Sequence, residues 1–231
     1  MHGKVLVAAT SKGGAGKSTT IACLSLYWHT MGRKVALVDS DPNQTLSRWH
    51  SKGGALSQLV LRTQLDEHAM IPTISELADQ HDLVLVDCAG FGNQAMVFAI
   101  GAADVVIIPT MTDEANVFEA LRTRKVVDSA SRLTRRDILA RTLLTRVKRA
   151  GIVDHTREEL VKFGAPPLRA VMNDRVLFQE ATFYGSSPTV LAAGSSAAQD
   201  VEAVALEIES LLWVRIESIV PAAVVEVSPA A

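Results

Sequence analysis

The feature that most constrains this chain is a glycine-rich turn near its start, Lys12-Gly13-Gly14-Ala15-Gly16-Lys17-Ser18-Thr19. The stretch before it, Val5-Leu6-Val7-Ala8-Ala9, is apolar and suits a strand buried on both faces. The stretch after it, Thr20 to Leu26, reads as the opening of a helix. A strand, a glycine turn, a Lys-Ser pair and a helix, in that order, form the setting of a phosphate-binding P-loop. Glycines let backbone N–H groups converge on phosphate oxygens, and the helix N-terminus adds its positive end. In such a loop Lys17 reaches the β- and γ-phosphates, and Ser18 offers its hydroxyl to Mg²⁺. Gly13, Gly14, Ala15, Gly16, Lys17, Ser18 and Thr19 are the candidate nucleotide cradle.

The remainder of the chain alternates between two patterns. Short runs rich in Val, Ile and Leu predict strands at Lys4–Ala9, Lys34–Asp39, Leu59–Thr63, Leu83–Asp87, Val105–Pro109, Ile138–Thr145 and Leu168–Met172. Helical patterns fall between and after them, at Lys17–Met31, Thr45–Lys52, Ile74–Gln80, Gln94–Ala102, Glu114–Ser131, Asp154–Phe163, Arg175–Tyr184 and Ala197–Glu217. The strands lack clean polar alternation, as expected when helices cover both faces of a parallel sheet. This order predicts an α/β fold with a doubly wound, mostly parallel sheet flanked by helices. Ligands in such sheets bind beyond the carboxyl ends of the strands. One domain over residues 1–218 is expected, followed by a mobile tail over 219–231, where prolines and small residues dominate.

Charge bears on possible partners. With 23 Lys and Arg against 25 Asp and Glu, the net charge of −2 supplies no global basic field. Binding to nucleic acid would need a local patch. The Arg-rich stretch with Arg132, Arg135, Arg136, Arg141, Lys148 and Arg149 is the candidate, although a solvated charged face would look the same. The two cysteines, Cys23 and Cys88, sit in apolar surroundings and read as buried thiols. The start of the chain shows no signal peptide pattern and no apolar run is long enough to span a membrane, so a cytoplasmic protein is expected.

Two further motifs belong near a triphosphate. Val38-Asp39-Ser40-Asp41-Pro42 places two acids, spaced by two, at the carboxyl end of a strand. Acids there can bind the Mg²⁺ shell or position a water for in-line attack, although Asp before Pro is also a common helix cap. Leu83-Val84-Leu85-Val86-Asp87 is an apolar strand closing on an acid. With a P-loop upstream, Asp87 becomes a candidate to hold Mg²⁺ through Ser18 or a water. Gly90 follows at the spacing where an amide could meet the γ-phosphate.

Lys12, the first lysine of the loop, gives the chain a specific resemblance. Lys-Gly-Gly-x-Gly-Lys-Ser-Thr, Asp39-x-Asp41-Pro42, Asp87-x-x-Gly90 and Arg175-x-x-Phe178-x-x-Ala181-x-x-x-Gly185 together resemble the deviant Walker A ATPases of the ParA/MinD family. The likeness runs from residue 4 to about residue 215 and is most specific at the P-loop and Asp39–Pro42. It implies ATP and Mg²⁺ as cofactors, with Lys17 on the phosphates, Lys12 reaching across to a partner subunit's nucleotide, Asp41 positioning the attacking water, and Asp39 nearer the metal. Relatives contact adenine at the end of the strand that here closes Leu143-Leu144-Thr145-Arg146. The usual asparagine is missing there, which leaves Thr145 and Arg146 as the matching positions.

The resemblance implies a weak, partner-stimulated ATPase. It would form a face-to-face homodimer on ATP, bind DNA non-specifically as a nucleoid-associated dimer, and move a plasmid, chromosome or protein compartment. A ParB-like or cargo adaptor protein would release it. Other members imply other tasks. A T-DNA-processing type shares the motifs. A MinD-like type ends in a basic amphipathic helix on anionic lipid, whereas the amphipathic segment Asp200–Glu217 carries a mainly acidic polar face. A dethiobiotin-synthetase-like ligase shares the fold, but Lys12 and Asp41-Pro42 suit a switching ATPase better. Iron–sulfur members use closely spaced cysteine pairs, and no Cys-x-x-Cys occurs here.

Overall fold

A computed structural model of the chain describes residues 2–90 and 94–213. Among them, strands β1 (Lys4–Ala8), β2 (Val35–Asp39), β3 (Val60–Thr63), β4 (Leu83–Asp87), β5 (Val105–Thr110) and β6 (Leu139–Leu144) form one parallel sheet in the order β3-β2-β4-β1-β5-β6. Helices α1 (Lys17–Thr30), α2 (Thr45–His50), α3 (Glu67–Gln80), α4 (Gln94–Ala102), α5 (Glu114–Thr134), α6 (Ala150–Lys162), α7 (Val176–Phe183), α8 (Pro188–Leu191) and α9 (Ser196–Leu212) cover both faces. The doubly wound α/β expectation holds.

The strands read as continuous apolar runs because each face has its own core. Val5, Val7, Val84 and Val86 point into one cluster with residues of α3, α4 and α5. Leu6, Ala8, Leu83 and Leu85 point into the other, with α1 and α9. Cys88 lies in the first cluster and Cys23 in the second, so the sheet separates the two free thiols. Burial pushes both thiols up to about 12. They are packing residues, as expected. Helix α1 is buried almost all round, and Trp28 at its far end donates to Glu209 of α9 at 2.8 Å.

Beyond an unexpected short α8 and an α6 that starts four residues before Asp154, two expected elements differ most. Helix α3 begins at Glu67, seven residues before the expected start at Ile74, and includes Pro72. A proline inside a helix removes an N–H and crowds the carbonyl one turn back, which works against a helix that runs through Pro72. Asp66 overrides it by capping the first turn, accepting from the backbone N–H of His68 at 3.0 Å. The expected seventh strand, Leu168–Met172, is not a strand. It runs beside β6 through isolated parallel bridges, Thr142 with Pro167 and Val147 with Asn173. The N–H groups of Arg169 and Ala170 turn instead to the Glu207 carboxylate on α9. The tail over 219–231 lies outside the described residues.

Register places the site. Strand β4 pairs with both β1 and β2, so Asp87 stands opposite Ala8 on one side and Asp39 on the other. Both acids therefore sit at the carboxyl edge of the sheet, next to the turn that leaves β1.

Candidate nucleotide site

The turn after β1 is built from backbone that only glycine adopts easily. Gly14 and Gly16 have φ of 79° and 95°, in the left-handed region. Gly16 is also the N-cap of α1 and has no side chain to satisfy the first N–H groups of the helix. Those donors stay available to an anion. Thr145, at the end of β6, braces the loop by donating its hydroxyl to the Ala15 carbonyl at 2.8 Å. Lys17 is buried, and its ammonium lies over the loop, 3.4 Å from the carbonyls of Thr10 and Lys12. Such long contacts hold a lysine loosely where a phosphate would draw it in.

The two strand-end acids behave differently. Asp39 accepts from the backbone N–H and hydroxyl of Ser47, at 2.8 and 2.7 Å, and from the N–H of Asp41 at 3.2 Å. Its carboxylate ties the first turn of α2 to β2, which gives it a structural task the sequence reading, with Asp39 beside a metal, did not contain. Asp87 is fully buried, and neither of its oxygens has a hydrogen-bond partner. Burial pushes its carboxyl from an ordinary 3.8 to about 7. The Ser18 hydroxyl and Lys17 pull it back, and the neighbouring charges of Asp39 and Asp41 raise it further. A buried carboxylate without donors, beside a hydroxyl, suits a cation that supplies the missing charge. Asp87 and Ser18 are the residues that would hold Mg²⁺, which would neutralise charge on the β- and γ-phosphates. Among the described residues no group of three or more His, Cys, Asp or Glu is arranged to hold a metal, so the ligand set would need phosphate and water.

Asp41 lies on the turn after β2 and accepts from the N–H and side-chain amide of Asn43, at 2.8 and 3.0 Å. Gly90 lies against the P-loop; a side chain there would meet the Ser11 carbonyl at 3.1 Å. Lys12 points the other way, its ammonium 3.8 Å from Asp113, the N-cap of α5. Burial alone would raise the Asp113 carboxyl. The amides of Asn116 and the Lys12 charge outweigh that and hold it below the usual carboxylate range.

The base side of the site was only partly legible. A cavity of about 330 Å³ opens beside Gly16 and is lined by Thr145 and Arg146, the two expected positions. Arg146 takes a φ of 50°, a conformation disfavoured for a long side chain and often found at functional turns. Met172, Asn173 and Phe178 complete the wall. The sequence pattern Arg175-x-x-Phe178 pointed to this stretch, but not to its place beside Gly16 of the P-loop.

The expected basic patch is not one patch. Arg132, Arg135 and Arg136 precede β6, at the sheet end far from the P-loop, and Lys148 and Arg149 follow it. Strand β6 separates the two sets by about 20 Å. Arg136 is paired with Asp104 and Lys148 with Asp174. Arg141, inside β6, donates to the Ala140 carbonyl. A strand runs straight, so cations close in sequence on either side of it end far apart.

A P-loop on the central strand of a doubly wound sheet, with a buried acid on the adjacent strand, is the arrangement of a P-loop nucleotide-binding protein. Residues 3–185 match the model of the VirC1 protein family, and the chain belongs to that family. It is 35% identical over 105 residues to Protein ParA from Rhizobium radiobacter, covering 46% of this chain and 47% of that one. The chain spans about half the length of the curated relatives it matches. Among solved structures, an ATP complex of a McdA variant from Cyanothece superposes with a TM-score of 0.71 at 18% identity, covering 90% of this chain and 97% of that one. MinD with Mg-ADP from Pyrococcus horikoshii gives 0.72 at 19%, covering 90% and 96%. These likenesses support the fold. No helix among the described residues is long and apolar enough to cross a membrane.

Proposed function

We propose that this protein is an ATP-driven positioning or partition ATPase. ATP and Mg²⁺ bind at the P-loop, Lys17, Ser18 and Asp87, and two copies close face to face around the nucleotides. Lys12 leaves Asp113 and reaches the partner's phosphates, where it stabilises charge developing in the transferred group. Asp41 orients the attacking water. A ParB-like or cargo adaptor speeds hydrolysis, and the copies part. The observation that carries the reading is the unpartnered, buried Asp87 carboxylate facing the Lys17 and Ser18 loop.

Two features support the closed pair. Lys12 and Gly13 lie on the rim of an open groove, and Phe118 and Phe163 line it while more than half exposed, at 59% and 55%. A second copy would bury this apolar surface. Non-specific DNA binding is the less supported step, because the candidate cations form two sets. Either Arg132 with Arg135, or Lys148 with Arg149, would supply salt-sensitive phosphate contacts. A T-DNA-processing type would use the same cycle on another cargo. A lipid-bound role would use an element other than α9, whose Val201, Val204, Ile208 and Leu212 are buried in the core.

Light scattering with ATP, ADP or no nucleotide, followed by DNA mobility shift on the same samples, tests the proposal. We expect dimers with ATP alone, none in Lys12→Ala, and long-lived dimers that turn over slowly in Asp41→Ala. A wild-type protein that stays monomeric when saturated with ATP would overturn the cycle.

A further inference from the structure

We infer that Asp200 on α9 fixes the direction of the Asn173 side-chain amide, and that Asn173 thereby reads the base of the bound nucleotide as a hydrogen-bond acceptor. The inference rests on the nucleotide reading above and adds a specificity residue to it. The Thr145 hydroxyl has no donor to spare for a base, because its one proton goes to the Ala15 carbonyl at 2.8 Å, with the Thr110 carbonyl 3.3 Å away. Asn173 comes from the neighbouring segment. It stands opposite Val147 in a parallel bridge and lines the same cavity as Gly16 and Thr145.

Asp200 holds Asn173 through three contacts. The backbone N–H of Asn173 donates to Oδ2 at 3.0 Å, and Nδ2 lies 3.0 Å from both carboxylate oxygens. Arg175 fixes the carboxylate from another side, donating from Nε to Oδ2 at 2.8 Å and from Nη2 to Oδ1 at 3.2 Å. The Asp200 side chain is only 11% exposed. Seven residues along the same helix, Glu207 takes the N–H groups of Arg169 and Ala170, so the whole wall segment is anchored to α9.

The chemistry of the amide follows from these contacts. A carboxylate only accepts hydrogen bonds, so it draws Nδ2 to itself and repels Oδ1. An Asn amide cannot turn over in that grip. Its Oδ1 receives no hydrogen bond among the described residues, and it remains an acceptor on the cavity wall. An exocyclic amino group, as on adenine C6, can donate to it. Guanine carries a carbonyl oxygen at that position and would set acceptor against acceptor. Asp200 acts through Asn173 and is a positioning residue. A site built to pair with a donor rejects the analogue that lacks one, because the polar group is otherwise left unpaired.

Competition of ATP and GTP against a fluorescent ATP analogue, on the full chain with Mg²⁺, tests this. The wild type should prefer ATP. Asn173→Ala should weaken ATP by about tenfold and leave GTP nearly unchanged. Asp200→Asn offers a donor to Asn173 Oδ1 and lets the amide turn, so the ATP-to-GTP ratio should fall by about tenfold. The ratio is taken within each preparation, so a loss of folded protein scales both affinities and leaves it unmoved. If Asp200→Asn does not fold, Asn173→Ala decides alone. An unchanged ratio in Asn173→Ala, in a protein whose ATP binding still requires Lys17, overturns the inference and leaves the nucleotide reading standing. A wild type that binds neither nucleotide overturns both.

Discussion

Asp39 and Asp87 are the same residue, at the same level of adjacent strands, both fully buried, and they differ in everything that matters chemically. Asp39 accepts three hydrogen bonds from its own chain. Asp87 meets no donor within hydrogen-bond geometry and has only the nearby Ser18 hydroxyl and Lys17 to offset its burial, so its carboxyl is pushed up to about 7. A folded chain seldom leaves a buried charge without donors, because the loss of hydration is not returned. Asp39 is explained by the fold it braces. No contact among the described residues explains Asp87, and a bound cation would supply the charge it lacks. Equal burial with unequal satisfaction thus separates a structural acid from a functional one.

The comparison can be broken by mutation. The largest effect should come from Asp87→Asn, which keeps the shape and removes the charge: Mg²⁺-dependent ATP hydrolysis should fall by about hundredfold or more, in a steady-state assay of phosphate release. The same variant should be more stable than wild type without metal at about pH 8, by up to roughly 4 kcal/mol in denaturant unfolding. The sign follows from the raised carboxyl. Its contribution to wild-type stability is fully present below the unfolded value near 3.8 and is lost as pH rises through about 7. Asn does not titrate, so the variant's stability should lack this slope.

Asp39→Ala should show the opposite profile. It leaves the Ser47 hydroxyl and two N–H groups without their acceptor and should cost about 3 kcal/mol of stability, with nucleotide affinity reduced far less than in Asp87→Asn. If Asp39→Ala abolishes Mg²⁺-dependent nucleotide binding while leaving the melting curve in place, the distinction between the two acids is wrong. The smallest effect is on metal affinity in the wild type. Between about pH 8 and pH 6 the affinity for Mg²⁺·ATP, followed by calorimetry, should weaken by about tenfold, with a proton released on binding, since the metal needs Asp87 ionised.

The phosphate side of the site was largely readable from residue order. Strand, glycines, Lys17, Ser18 and helix are contiguous, so local backbone rules place them together before any packing is known. Asp87 was readable for a similar reason, since an apolar strand ending on an acid puts that acid at a sheet edge. The base side was not. Thr145 and the run that holds Met172, Asn173 and Phe178 lie on separate segments that meet only once β6 and α9 are in place. The grouping of Arg132 to Arg149 failed in the reverse way, because nearness along the chain became distance across a strand. Helix α3 runs back to Glu67 through Pro72, because the Asp66 cap that holds its first turn is a contact made in the fold.

Sequence alone determined the class of sheet, the P-loop and the position of Asp87, since each depends on residues within a few positions of one another and on the period of a strand or helix. Only the tertiary structure decided which acid was left without a partner, which residues walled the cavity beside the P-loop, and where the cations pointed. Those properties depend on what approaches a group from elsewhere in the chain. Hydrogen bonding and burial are settled by contacts such as Asp39 with Ser47 and Asn173 with Asp200, which span segments whose meeting is a result of folding.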